Sequence, residues 1–584
     1  MKYKITMPNP NTIYANTFID ALIACGLKRV CLAPGSRHTP LVLALARHRQ
    51  DIEIYSHLDE RSAAFFALGL ALGADKPAAV VCTSGSAAAN FFPAIVEAHQ
   101  SRVPLIALTA DRPPELRASG ANQTIDQLKL YGDYADCFVD APMPETDPPA
   151  VALRNLRSLA ARAYAMAASK RGVVHINLPF RKPLEPEADA LEIERRAPTR
   201  FISEIGARDS GLRALLSDDV LRRRGIIYFG HGSCRSEKER DLMLPWADRL
   251  SAISGFPLLA EFTSNMRAAN AIVAYESVMT AAELDFARVE VLIRFGAPPL
   301  AKNMGEFFAR SQLPYHIYCS RAGEWADDSH TVTHHLTIDP ASIDAAEWDR
   351  FEGTAPTANA WPQQLSRADR TAREVIGDEI ECGAYFDGAV LHDVVELMPA
   401  GGTLFAGNSL PVRHLDQFGL LSDKPIFAYA NRGASGIDGN ISTALGVGAA
   451  RRGKRLVAVV GDITLYHGMS GLLAIKRCDV PLTIVLLNNG GGGIFQRLPI
   501  REFEPAFSDY FITAPGLDFV HAADLYDLKY VRADDRVAFR QAFSESVAGS
   551  ASTLIEVRSD AVADLKRRHE IMAAVHEKLK TATD

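Results

Sequence analysis

KRLVAVVGDITLYHGMSGLLAIKRCDVPLTIVLLNNGGGGIF, residues 454–495, contains two apolar β-type runs, 456–460 and 482–487, each ending abruptly in polar residues of metal-liganding type. Asp462 follows the first run and Asn488-Asn489 closes the second. Between them, 469–478 carries apolar residues at helical spacing, so the unit reads strand, helix, strand. A right-handed crossover makes the two strands parallel and places Asp462 and Asn489 at one carboxyl edge of a sheet. That edge is where open α/β sheets bind their ligands. A carboxylate and an amide oxygen are hard ligands suited to Mg²⁺ or Ca²⁺, but too few to hold Mg²⁺ without phosphate oxygens and water. The glycine run 490–493 lets backbone amides and carbonyls approach a bound group closely. A metal-bridged diphosphate is the guest these features suit together; two core strands ending in ordinary turns would need only one of them.

The same rhythm extends outward. Strands predicted at 403–406, 426–429 and 553–557 complete a C-terminal unit; those at 30–33, 78–82, 105–108 and 173–176, and at 226–229, 257–260, 291–295 and 316–319, define two more. Short apolar strands alternating with helical patterns predict parallel sheets covered on both faces. The fold class is therefore α/β, with three doubly wound parallel-sheet domains. The charged, proline-containing stretch 182–200 and the stretch 353–371 read as linkers, giving domains at 1–185, 200–352 and 373–584. Three units of similar rhythm hint at duplicated architecture.

A chain of 584 residues has room for about three or four cores. Its formal charge of −7 is weak for this length and gives no reason to expect a nucleic-acid partner. Eight cysteines scattered without CxxC pairs argue for reduced thiols rather than a disulfide or zinc framework. No stretch is apolar enough to span a bilayer or to form a signal peptide, so a soluble, cytoplasmic protein is expected.

Two groups before residue 130 carry further chemistry. In HLDERSAAFF (57–66) Glu60 stands just ahead of an apolar helix predicted at 63–72, and by itself reads as an N-terminal acid favoured by the macrodipole. In 109–127, Arg112, Asn122 and Gln123 suit carboxylate recognition by a guanidinium fork and neutral amides; alternatively, Arg112 pairs at the surface with Asp111 or Glu115. The run DDSHTVTHH (327–335) carries metal-type residues, but its Thr-Val-Thr centre separates them by alternation, and it reads as a turn entering a strand.

Gly461-Asp462, followed after 26 intervening residues by Asn489, resembles the motif of thiamine-diphosphate enzymes. The runs APGSR (33–37), HLDERSA (57–63), CTSGSAAAN (82–90), LTADRPPELR (108–117), GANQTIDQ (120–127), GNSLPVR (407–413) and NRGASGIDG (431–439) narrow the resemblance to the MenD family, the 2-succinyl-5-enolpyruvyl-6-hydroxy-3-cyclohexene-1-carboxylate synthases. The resemblance implies metal ligation by Asp462, Asn489 and the Gly491 carbonyl. It implies cofactor contacts from Ser36, Glu60, Asn408, Leu410, Gly433, Ser435, Ile437, Gly461, Ile463, Gly492, Ile494 and Phe495. Within that set Glu60 is the carboxylate that promotes the cofactor's imino tautomer, and Ile437 props its bent conformation. An ordinary core role for Ile437, Ile494 or Phe495 would look the same in sequence.

Substrate contacts are implied for Arg37, Arg112, Asn122, Gln123, Lys302, Ser409, Arg413 and Arg432, with Arg37, Gln123 and Ser409 joining Glu60 in catalysis. The implied reaction is decarboxylation of 2-oxoglutarate and 1,4-addition of the resulting carbanion to isochorismate, in menaquinone or phylloquinone biosynthesis. It would need thiamine diphosphate and Mg²⁺, or Mn²⁺, in a homo-oligomer, a dimer or dimer of dimers. Rival readings are another thiamine-diphosphate carboligase and a non-catalytic cofactor-binding homologue. Three positions depart from the family's usual residues: Gly468, Ser470, and Asn303 beside Lys302.

Overall fold

The computed structural model describes residues 9–186, 210–268, 270–281, 284–310, 312–340, 343 and 360–582. They fall into two compact units, one drawn from 1–204, 431–453 and 467–480, the other from 205–430, 454–466 and 481–584. Seventeen strands among the described residues form three sheets, and every pairing is parallel.

The first unit holds β1 (Arg29–Leu32), β2 (Glu53–Ser56), β3 (Ala78–Cys82), β4 (Leu105–Asp111), β5 (Cys137–Asp140) and β6 (Val173–Pro179), in the order β2-β1-β3-β4-β6-β5. The second unit holds two sheets. One contains β7 (Gly225–Phe229), β8 (Leu258–Ala260), β9 (Val291–Phe295), β10 (Tyr315–Ser320) and β11 (His334–Thr337), ordered β11-β10-β9-β7-β8. The other contains β12 (Thr403–Ala406), β13 (Phe427–Tyr429), β14 (Leu456–Gly461), β15 (Leu482–Asn488), β16 (Lys529–Ala533) and β17 (Thr553–Arg558), ordered β13-β12-β14-β15-β17-β16. The first and third sheets thus share one strand permutation, which gives the hint of duplication a topological form. In the third sheet the chain leaves β12 toward one side and β14 toward the other, so the crevice beyond their carboxyl ends is the topological switch point.

The register of β14 on β15 pairs Gly461 with Leu487, so Asp462 and Asn488-Asn489 leave the sheet at the same level. The crossover between them is not the single helix expected at 469–478. Helical structure begins at once in Asp462–His467, breaks at Gly468, and resumes as a 3-10 turn, Met469–Leu472, and a short helix, Leu473–Arg477. Gly468 and Gly471 each disfavour an uninterrupted helix by about 1 kcal/mol.

The second linker expectation is corrected. Residues 361–371 open a 22-residue helix, Trp361–Cys382, whose Trp361, Leu365, Ala368, Ala372, Ile376 and Ile380 are buried at helical spacing. Trp361 Nε1 donates to the Leu284 carbonyl (2.6 Å), and Asp369 accepts from the amides of Val273 and Ala274 (both 2.8 Å), which fixes the helix against the middle sheet's connections. Residues 353–359, like 187–200 of the first linker, lie outside the described residues. In 327–335, Asp327 accepts from Ser329 Oγ and the Val332 amide, forming a turn that leads into β11.

Candidate active site

The second unit carries the residues of diphosphate-binding type. The Asp462 carboxylate is 2% exposed and accepts the Ile463 amide on Oδ1 (2.8 Å) and the Gly491 amide on Oδ2 (2.7 Å). Burial pushes its pKa up, and the nearby Asp387 carboxyl adds to the rise against those two amides. Gly491 has φ +126°, and a Cβ there would stand 2.1 Å from the Ile512 carbonyl oxygen. Only glycine fits, and the loop is locked by Gly492 N donating to that same oxygen (2.7 Å). The two asparagines divide their work. Asn488 Nδ2 donates to buried Glu556 (2.6 Å), whereas the half-buried Asn489 amide lies against Asp387. One carboxylate, one amide and open glycine backbone fit a hard cation that draws its remaining ligands from a phosphate. Among the described residues no cluster of three or more His, Cys, Asp or Glu forms a self-sufficient metal site.

At the switch point, Gly407 N donates to the Val459 carbonyl (2.8 Å), seating the loop after β12 on the end of β14. Asn408 and Leu410 are buried there. Ser409 takes φ +74°, ψ −123°, a conformation that costs a non-glycine residue about 1–3 kcal/mol. It caps the helix Leu410–Phe418, from which Arg413 Nη1 returns to the Ser409 carbonyl (2.7 Å). Ile494 and Phe495 are half-buried in the turn Gly493–Arg497, with the Phe495 ring edge-on to Phe511 at 5.5 Å. Lys302 opens the helix Lys302–Arg310 with a 90% exposed side chain, 3.6 Å from Glu306, while Asn303 Nδ2 donates to the Glu276 carbonyl (2.7 Å).

The first unit carries the candidate acid and the candidate anion-recognition residues. Glu60 is the first residue of the helix Glu60–Ala74 and is half-buried. Asp59 caps that helix, accepting from Arg61 N (2.9 Å), Ser62 Oγ (2.9 Å) and Ser470 Oγ (2.6 Å). Burial alone would raise the Asp59 pKa, but the Ser470 and Ser62 hydroxyls and the Arg61 amide outweigh it and hold the pKa below its usual value. The departure at Ser470 therefore supplies a cap partner.

Helix Glu60–Ala74 packs in parallel on helix Asn440–Ala450, Gly439 lying against the Phe65 ring at one end and Gly73 against Val447 at the other, with glycines where the two cross. A Cβ on Gly69 would meet the Thr443 carbonyl at 2.1 Å, and one on Gly446 the Phe66 carbonyl at 2.1 Å. Glu60 and the loop 431–439, with Arg432, Gly433, Ser435 and Ile437, consequently lie at the same end of the pair. That loop is held by Glu97, which sequence reasoning missed: 3% exposed, it accepts from Gly433 N (2.8 Å), Ala434 N (2.7 Å) and Ser101 Oγ (2.6 Å).

Both surface partners proposed for Arg112 are taken. Asp111 pairs with Arg117 (3.0 Å) and Glu115 with Arg181 (2.6 Å), while Arg112 Nη2 donates to the Asn122 carbonyl (2.8 Å). Asn122 and Gln123 are exposed, and Gln123 Nε2 ties its loop to the Ser84 carbonyl (3.0 Å) beyond β3. Ser36 is exposed, but Arg37 is turned inward, 3% exposed, with Nη1 donating to the Phe180 carbonyl (2.8 Å).

Residues 13–130 match the family of the thiamine pyrophosphate enzyme N-terminal TPP binding domain, and 420–557 that of the C-terminal TPP binding domain. The chain is similar over nearly its whole length to curated 2-succinyl-5-enolpyruvyl-6-hydroxy-3-cyclohexene-1-carboxylate synthases. The Roseiflexus castenholzii protein is 52% identical, covering 97% of this chain and 99% of the relative. The Haloarcula marismortui protein is 42% identical, covering 98% and 100%. The Halobacterium salinarum protein is 37% identical, covering 97% and 98%. With three parallel sheets, the Asp462-Asn489 pair at a switch point and relatives at this level, the chain belongs to the 2-succinyl-5-enolpyruvyl-6-hydroxy-3-cyclohexene-1-carboxylate synthase family of thiamine pyrophosphate enzymes.

Proposed function

We propose that this protein catalyses decarboxylation of 2-oxoglutarate and 1,4-addition of the four-carbon unit to isochorismate, the synthase step its relatives are named for, in quinone biosynthesis. The observation that carries the reading is Asp462 on Gly491, with Asn489 at the same sheet edge, in a chain 52% identical to a named synthase. When bound, thiamine diphosphate supplies the electron sink for C–C cleavage and formation.

The chain's own residues do the rest. Asp462, Asn489 and the Gly491 carbonyl would hold Mg²⁺, and with it the diphosphate. Gly461, Ile463, Asn408, Leu410 and Gly492 line that end, with Ser36, Gly433 and Ser435 as further contacts. Ile437, Ile494 and Phe495 give apolar walls that keep water from the reacting carbon. Glu60 holds and returns a proton at the aminopyrimidine ring. Arg112, Arg413 and Arg432 provide guanidinium forks for carboxylates, with Asn122 and Gln123 as neutral donors. Arg37 and Lys302 join them only after leaving their present partners, Phe180 and Glu306. Ser409, held in a strained cap, presents its hydroxyl at the switch point. The active assembly is a homo-oligomer, a dimer or dimer of dimers, working in a reducing, aqueous compartment; all eight cysteines are unpaired. Among the described residues no helix is long and apolar enough to cross a membrane.

The test is Glu60→Gln, assayed by mass spectrometry for product and by CO₂ release. Product should fall at least a hundredfold, in line with general acid-base contributions of about 10²–10⁴, while the thermal transition stays in place. Near-normal turnover would remove Glu60 from the mechanism.

A further inference from the structure

Asn177, near the carboxyl end of β6, is 0% exposed and uses every hydrogen-bonding position its amide has. Its Oδ1 accepts from Thr109 Oγ1 (3.0 Å) and Gln127 Nε2 (3.0 Å), and its Nδ2 donates to Asp111 Oδ2 (2.9 Å) and Asp140 Oδ1 (2.8 Å). The neighbours fix which way the amide faces, because only the NH₂ can lie between two carboxylates. His175 completes the set. The single hydroxyl proton of Thr109 is spent on Asn177, so Thr109 accepts from His175 Nε2 (2.8 Å), and burial keeps that ring neutral, its pKa lowered to about 3.

The partners of Asn177 hold one loop, 112–127, at three points. At its start, Asp111 Oδ1 accepts the Arg112 amide (2.7 Å). Partway along, Arg117 meets Asp140 with both Nη atoms (2.9 and 3.1 Å) and Asp111 with one of them (3.0 Å). At its end Gln127, 1% exposed, donates to the Ala110 carbonyl (3.2 Å) and accepts the Gly85 amide (2.9 Å). Between the last two ties, residues 118–126 are exposed or half-buried. Burial raises the Asp111 pKa, and the Asn177 amide, Arg117 and the Arg112 amide work against that rise, so Asn177 also helps keep the charge that holds Arg117.

We propose that Asn177 is a positioning residue for substrate recognition: through Asp111, Asp140 and Gln127 it sets where the loop presents Arg112, Asn122 and Gln123 to a carboxylate substrate. The proposal rests on the function given above, which supplies the carboxylate, and adds a residue that touches no substrate itself. The bond from Arg112 Nη2 to the Asn122 carbonyl (2.8 Å) closes the loop on itself without placing it. Placement comes from the roots that Asn177 ties and from Gln123, whose amide and carbonyl meet Ser84 (3.0 and 3.1 Å).

The experiment compares wild type with Asn177→Asp. The substitution keeps the volume and the acceptor facing Thr109 and Gln127, and turns the donor facing Asp111 and Asp140 into a carboxyl oxygen. Burial and the two carboxylates raise the pKa of the new group, while Arg117 lowers it and neutral His175 adds no charge. Below that pKa its O–H restores one of the two lost donations; above it three carboxylates repel. The defect should therefore be full at about pH 8 and lessen toward about pH 6, against wild type at the same pH. At the upper pH, KM for at least one of the two carboxylate substrates should rise about ten- to hundredfold, the worth of one hydrogen bond to a charged group. Affinity for thiamine diphosphate with Mg²⁺ should stay within about twofold, because Asp462 and Asn489 lie on other loops. Exchange of amide hydrogens in peptides covering 112–127 should quicken about tenfold or more, with β4 and β6 changed less.

One arm needs no turnover. Isochorismate or 2-oxoglutarate, added without thiamine diphosphate, should slow exchange of 112–127 in wild type and not in Asn177→Asp at the upper pH. That arm reads the loop even if wild type makes no product, a result that would sink the synthase reading alone. Should Asn177→Asp fail to fold, Arg117→Gln and Gln127→Met cut two of the ties singly, and each should raise the same KM. Both KM values within about twofold of wild type, with exchange raised evenly over β4, β6 and the loop, overturn the proposal and leave Asn177 a core residue only. So does a defect that does not lessen toward acid pH.

Discussion

Replacing Glu97 by Ala should loosen the loop 431–439 far more than it loosens the unit that carries it. The carboxylate accepts from the amides of Gly433 and Ala434 at 2.8 and 2.7 Å in a fully buried setting. Hydrogen bonds to a charged acceptor are worth about 1.5–3 kcal/mol each, and an amide left buried without a partner loses a comparable amount. Burial raises the pKa of Glu97, so part of that gain is already spent on keeping the group ionised. Water admitted to the vacated space will recover more. A net loss of about 3 kcal/mol in local opening remains, equivalent to roughly a hundredfold faster exchange. Hydrogen exchange followed by mass spectrometry on peptides covering 431–439 measures this directly. Glu97→Gln, with one oxygen for two amides, should fall between. Because Arg432, Gly433, Ser435 and Ile437 ride on the loop, turnover should fall along with protection. Exchange within about threefold of wild type in Glu97→Ala would refute the claim that this side chain holds the loop.

Gly491→Ala places a Cβ 2.1 Å from the Ile512 carbonyl at a φ of +126°, so it should displace the loop that donates to Asp462. Titration of thiamine diphosphate with Mg²⁺, followed by protein fluorescence, should then lose saturable binding. The Asp59 cap should give the stability curve an acid limb. The folded pKa lies below the usual 3.8, so the cap's contribution is present above that value and is lost as pH falls through the folded one. Asp59→Asn should flatten that limb in urea midpoints measured across acid pH, and an unchanged slope would count against the Ser470–Asp59–Ser62 network.

The central strands were legible because each is an apolar run flanked by turn residues, and the β14–β15 edge was legible down to the residues that leave it. The strands missed, β2, β5, β11 and β16, are all sheet edges with mixed exposure. Their patterns of half-buried and exposed residues carry no continuous apolar run. The helix Trp361–Cys382 was masked by Pro362, Gln363, Gln364 and Ser366 at its start, and its identity as a packed helix depends on partners such as Leu284 and Val273 far back in the chain.

The same distance rule divides the site residues. Motif-borne groups such as Asp462, Asn489 and Glu60 could be named from sequence. Glu97 could not, because it sits mid-helix in FPAIVEAHQ and meets its loop 336 residues away. Ser470 and Asn303 looked like departures from a pattern, and each proves to donate a hydrogen bond to a residue distant in the chain, Asp59 and the Glu276 carbonyl.

The most direct test of the whole account is the loss of isochorismate absorbance with purified protein, omitting thiamine diphosphate, Mg²⁺ and 2-oxoglutarate in turn. The account predicts that isochorismate disappears only when all three are present. Isochorismate left untouched while CO₂ is still released from 2-oxoglutarate would contradict the assigned acceptor, and no reaction under any condition would contradict the assignment of catalysis itself.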